Sequence, residues 1–259
     1  MNAIAPQAAP SDAAFNYVLR IADGCLVHGQ RLAQWCGHAP VLEEDLALTN
    51  IALDHIGQAR SLLTLAGALE GHGRDEDTLA YLRLEHEFVN ATLLELPRGD
   101  FAFTVLRAFF WSSYMEQLCP ALATSSNAEL AGIAAKSLKE VRYHSRHLGD
   151  WVLRLGDGTE ESHRRAAAAL ATLWPYTAEL FESDPVDRAA AQAGLGPASD
   201  TLRPGWLRQV EPVLAAAGLV APAATPFRAT GRLGRHSEHM GPLLAEMQSL
   251  ARAYPGAVW

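Results

Sequence analysis

The stretch from Glu43 to Glu70, EEDLALTNIALDHIGQARSLLTLAGALE, contains no proline, and between Leu46 and Leu69 its formal charges are Asp54 and Arg60 alone. At ~3.6 residues per turn such a run makes one helix of about seven turns. A helix this poor in charge is buried round most of its circumference, so the remaining helices are expected to pack about it. Within it Asn50, Asp54, Gln58 and Ser61 line one face. Asp54 is the member of that line with chemistry to offer.

Helical stretches lie on both sides. Residues 1–12 read as a disordered tail of small residues. Ser11 and Asp12 can cap a first helix that runs to about Trp35 and ends at Gly37 and Pro40. Gly24 and Gly29 inside it permit close approach of a neighbour. Gly71 and Gly73 stop the central helix. A third helix is expected from about Glu76 to Leu96, a fourth, rich in aromatics, from Phe101 to Leu122, and a fifth from Glu129 to Leu155 behind Ser126-Asn127. Thr159 can cap a sixth that reaches about Phe181 with a kink at Pro175. Past Ser183 the segments shorten, at Val186–Ala193 and Gly205–Ala217, and a glycine- and proline-punctuated loop leads to a last helix, His236–Arg252. Alternating valine and isoleucine are almost absent. The expected fold is all-α, a ferritin-like helical bundle: one domain over 13–259, with the main bundle in 13–182 and a C-terminal extension, 183–259, packed on it.

Charged residues make up 19% of the chain, which is low for a soluble surface and expected where a protein partner covers part of it. The net charge of -8 and the lack of a basic tail argue against nucleic acid and anionic membrane as partners. Cys25, Cys36 and Cys119 have no CxxC spacing and lie in apolar stretches, so they read as buried thiols of a reduced compartment. With neither a signal-like N-terminus nor an apolar run of about 18 residues, a cytoplasmic location is expected.

Helical bundles can hold two irons with a carboxylate from each of two helices and Glu-x-x-His from each of two others. Asp54, Glu85 and Glu116 recur every 31 residues, and Glu140 lies on the next helix. The histidines are out of place, however. Phe88 stands three residues after Glu85 and Tyr143 three after Glu140, while His86 and His144 both lie out of register with those places, His144 by one position, about 100° round a helix. Asp54, Glu85, Glu116 and Glu140 therefore read as a polar network, with Arg107 and Arg142 as partners, or with Glu85 simply solvated. Glu140, His144, His147 and Trp151 share a face, and His236 and His239 form His-x-x-His, but neither set supplies a defined third ligand. No GxGxxG, Walker A or GxSxG element is present.

The runs Arg31–Arg60, Asp75–Arg83, Lys139–His144 (KEVRYH), Leu153–Thr159 (LRLGDGT), HSEHMGPLLAEMQ and the final PGAVW resemble the PaaC-type subunits of phenylacetyl-CoA 1,2-epoxidase, a ferritin-like family. The resemblance extends from about Phe15 to Trp259. It implies a non-catalytic subunit, with no cofactor of its own, that pairs with a homologous PaaA-type subunit holding the di-iron centre. A PaaB-type component and a flavin and iron-sulphur reductase of the PaaE type complete an assembly that epoxidises the aromatic ring of phenylacetyl-CoA with molecular oxygen. On this reading Asp54, Glu85, Phe88, Glu116, Glu140 and Tyr143 are vestigial di-iron positions. Arg232, Arg235 and His236, in the loop before the last helix, are candidates for contact with an acyl-CoA phosphate. Two alternatives stand beside it: a di-iron oxygenase with a displaced ligand set using His86 or His144, and a self-assembling ferritin-like protein.

Overall fold

The computed structural model describes residues 10–257, and side chains from residue 13 onward. Most of the expected N-terminal tail therefore lies outside the described residues. The first helix, α1 (Pro10–Ala33), already includes Ser11 and Asp12, which stand in its first turn. α2 (Leu42–Glu70) ends where Gly71, at φ 72°, takes the left-handed conformation that glycine adopts without steric cost. The long helices α5 (Phe101–Leu122) and α6 (Ala128–Gly156) are capped by Asp100 and Asn127, whose side chains accept from the Phe103 and Leu130 amides. α7 (Glu160–Leu173) starts on the Thr159 cap. At Trp174-Pro175 it tightens into a 3-10 stretch over Trp174–Phe181, because proline cannot donate to the preceding turn.

α1 lies antiparallel to α2 and α5 to α6, and α2 lies against α6 to close the four-helix layer. A Cβ at Gly24 would meet the Trp111 ring at 2.6 Å, so the absent side chain is what lets α1 approach that indole. Among the described residues there is no strand, and no helix is long and apolar enough to cross a membrane. The later helices α8 (Pro185–Gln192) and α9 (Arg203–Ala216) pack on the bundle. Trp206 of α9 is buried against Phe110, Trp174 and Phe181, and its indole N–H donates to the Phe110 carbonyl at 3.0 Å.

The third expected helix is not continuous. It divides into α3 (Glu76–Tyr81), a 3-10 turn at Glu85–Glu87 and α4 (Thr92–Glu95). The cause is Arg83, whose buried guanidinium pairs with the buried carboxylate of Asp23 on α1. The chain then wraps round it. Arg83 donates to the Glu87 carbonyl at 2.9 Å, the Val89 amide donates to Asp23 at 2.9 Å, and the Phe88 ring covers the guanidinium at 4.0 Å. A continued helix would deny these backbone groups to the ion pair. The last helix, α10 (Met240–Ala253), begins later than expected and finishes what α3 leaves open. Gln248 donates to the carbonyls of Ala80 and Arg83, and Arg252 to those of Tyr81, Leu82 and Arg83.

Candidate functional site

Where four helices face one another, a ferritin-like bundle has room for a metal centre. Here α1 contributes Cys25, α2 Asp54 and Gln58, α5 Glu116 and Cys119, and α6 Glu140 and His144. The Gln58 amide joins two of these helices to a third. Its Nε2 donates to Glu140 Oε2 at 2.9 Å, and its Oε1 accepts from Cys25 Sγ at 3.6 Å. One turn away Asp54 Oδ2 lies 2.9 Å from His144 Nε2. Glu116 turns outward to α9 and accepts from Gln209 Nε2 at 2.6 Å, an amide that donates to Ser145 Oγ as well.

Both thiols are held protonated. Burial pushes the Cys25 thiol well up, with Cys119 and Glu140 adding to the effect. Cys119 is pushed up to about 12 by burial and then by Glu140. A protonated thiol is neither nucleophile nor metal ligand.

Behind this layer lie three imidazoles. His28 of α1 and His55 of α2 are fully buried with ring centroids 5.0 Å apart, and His55 is 5.2 Å from His144. Burial lowers the pKa of all three. His55, Arg107 and His144 add to the effect at His28, and His144 adds to it at His55. At His144 the neighbouring Asp54 pulls the other way. These are neutral rings, packed as core.

The donor set does not fit a di-iron centre. Glu140 is hydrogen-bonded to an amide and Asp54 to an imidazole, Glu116 turns away to α9, and the two thiols beside them, Cys25 and Cys119, are protonated. Among the described residues no three His, Cys, Asp or Glu side chains are placed to hold one metal ion. Glu85 is not part of the group at all. Because the third helix breaks, it stands exposed on the 3-10 turn beside Gly241 of α10. Phe88 is the lid on Arg83. Tyr143 points outward and stacks on His147 at 5.7 Å. His86 is exposed on the same turn as Glu85.

The guanidinium partners expected for the carboxylates are likewise elsewhere. Arg107 is buried and donates to the carbonyls of Leu96 and Pro97 at 2.6 and 2.9 Å, and Arg142 faces solvent. Cys36, expected to be buried, is exposed in the turn after α1.

The histidine pairs each find a carboxylate rather than a metal. His147 Nε2 is 3.0 Å from Glu44. His236 Nε2 donates to the Phe88 carbonyl at 2.9 Å, which leaves Nδ1 facing Glu95 at 2.6 Å. Burial lowers the pKa of His236, but that carboxylate more than offsets it and raises the pKa, and with acceptors at both ring nitrogens the geometry favours the imidazolium. Arg232 is similarly engaged: it holds Asp187 at 2.9 and 3.0 Å and the carbonyls of Glu179 and Glu182. Of the three candidates for a phosphate contact, Arg235 is the exposed one.

Motif reasoning does not single out Cys25, Cys119, His28 and His55 as neighbours of a bundle centre. Their signal is present, since each sits at helical spacing within an apolar face, but that pattern is the same for an ordinary core residue.

A family model described as phenylacetic acid catabolic protein, of the PaaA and PaaC type, matches residues 1–259. A curated relative, the C-type subunit of 1,2-phenylacetyl-CoA epoxidase from Escherichia coli (strain K12), is 46% identical over 243 residues. The match covers 94% of this chain and 98% of that protein.

Proposed function

Because the chain belongs to the phenylacetic acid catabolic protein family and resembles its PaaC-type subunits, we propose that it is the non-catalytic, structural subunit of a phenylacetyl-CoA 1,2-epoxidase. In this role it pairs with a PaaA-type di-iron subunit and stabilises it, and PaaB-type and PaaE-type components complete the assembly. The observation that carries the reading is the bundle centre. A glutamine bridges the one well-placed carboxylate, Glu140, to a protonated thiol. An oxygen-activating iron pair needs four to six hard or imidazole donors in that volume. Arg235 is the remaining candidate for an acyl-CoA contact from this chain.

The test is iron analysis by mass spectrometry on the chain purified alone, and again after co-expression with the PaaA-type subunit. Iron is expected in the mixed complex alone, at the content of the catalytic subunit. Two irons held stoichiometrically by this chain by itself would overturn the reading and restore a displaced ligand set around His144. A closed homo-oligomer that oxidises ferrous iron without a sister chain would favour a storage protein instead.

A further inference from the structure

A helix that faces water normally carries charge on its outer side. α2 does not. Its exposed positions from Leu46 to Ala68 are Leu46, Asn50, Leu53, Gly57, Arg60, Thr64 and Ala68, one charge among them over about six turns, and the other charge of this span, the half-exposed Asp54, is held against His144. Leu42 is 72% exposed, Leu46 57% and Leu53 63%. These leucines fall on one stripe of the helix. Beside it runs α6, tied to α2 by the Asp54–His144 and Glu44–His147 contacts, with Tyr143 46% exposed.

The outer face of α6 has the opposite peculiarity. Lys136, Lys139, Arg142 and Arg146 are all exposed, and among the described residues none forms an ion pair. Elsewhere on the surface the pattern is mixed: Arg60, Arg164, Arg165 and Arg228 each find a carboxylate in the chain, while Arg154, Arg188, Arg203, Arg208 and Arg235 form no ion pair among the described residues. What sets the α6 cations apart is their clustering, four within about three turns of one helix in a chain of net charge -8.

We propose that the outer faces of α2 and α6 form one docking surface, and that its occupant is the homologous di-iron subunit, presenting an uncharged helix with acidic residues at its margin. This rests on the reading of the chain as the structural member of a pair. The dimensions suit it: α2 spans roughly 44 Å, and two adjacent helices roughly 20 Å across give about the 800 Å² per partner of a stable interface. The leucine stripe supplies the apolar centre and the α6 cations the rim that selects the partner. A second copy of this chain fits less well. In an antiparallel pairing about α2 the α6 helices would face each other and set cation against cation.

The test uses the full chain and the PaaA-type subunit, with the dissociation constant read by calorimetry and the assembly by sedimentation. Leu46→Glu with Leu53→Glu should weaken pairing at least tenfold. Lys139→Glu with Arg142→Glu and Arg146→Glu should weaken it and remove most of its dependence on salt. Val220→Glu, at an exposed apolar position outside α2 and α6, should leave it unchanged. All these positions are exposed, so the variants should keep the wild-type circular dichroism and melting temperature. If wild type and both variant sets pair equally well, the surface assignment is overturned while the structural role stands. A wild-type chain that does not pair with the PaaA-type subunit at all would overturn both. A wild-type homodimer that Leu46→Glu separates would give the face to a second copy and overturn the heteromeric occupant.

Discussion

At the scale of single residues, the chain keeps two kinds of buried histidine, and they make opposite contributions to its pH dependence. His28 and His55 have folded pKa values below their unfolded value, chiefly because burial disfavours the charged ring. As pH falls below about 6.5 the unfolded chain takes up protons that the folded chain refuses, so stability drops by about 1.4 kcal/mol per pH unit for each such ring. His236 is the reverse. Glu95 raises its folded pKa, so its contribution is complete below about 6.5 and is lost as pH rises through the folded value. Urea titrations between pH 5 and 9 should therefore show an acid limb that becomes shallower by one proton in His55→Leu. They should also show an alkaline decline that His236→Gln lacks. An unaltered acid limb in His55→Leu would mean that the ring is charged in the folded state. None of this is legible in the sequence. A histidine on an apolar face and one facing a carboxylate look alike until the neighbours are known.

At the scale of elements, the helices set by local signals are readable. α2, α5 and α6 begin and end within a residue or so of their expected limits, and α7 begins where expected but gives way to the 3-10 stretch at Trp174, because Asp100, Asn127, Thr159, Gly71 and Pro175 act on the backbone beside them. The third helix defeats a sequence reading for the complementary reason. From Glu76 to Leu96 there is neither glycine nor proline, and the break comes from Asp23, distant in sequence. With the helix goes the 31-residue spacing that would place Glu85 among the bundle carboxylates. This ion pair is a strong determinant of local structure. Asp23→Asn leaves a buried guanidinium short of its counter-charge and should cost about 3–5 kcal/mol. The double change Asp23→Leu with Arg83→Met should recover much of that loss, since it removes both charges together. Chemical denaturation of the three proteins gives the comparison. Equal stability of the single and double variants would mean that the segment is held by its backbone contacts alone.

At the scale of the whole molecule, the C-terminal segment completes the bundle from outside it. Gln248 and Arg252 occupy the carbonyls at the end of α3, His236 and the Ser237 amide bind Glu95 of α4, and Gly231 N–H donates to Thr92 Oγ1. Arg232 then reaches Asp187 of α8, which also accepts from Arg20 of α1. The interrupted stretch between Leu82 and Leu96 is thus held by α1 on one side and by residues 231–252 on the other. Its own hydrogen bonds are too few to order it, because two short turns satisfy little of their backbone. The long pairs α1–α2 and α5–α6 have no such dependence. Removing residues 231–259 should therefore raise amide hydrogen exchange across residues 82–96 by orders of magnitude while the centres of α5 and α6 stay protected. Mass-spectrometric exchange on the truncated and full chains resolves the two regions. Loss of protection throughout α5 and α6 as well would show that bundle and extension unfold as one cooperative unit. Unchanged exchange in 82–96 would show that the Asp23–Arg83 pair orders the break without help from the C-terminus.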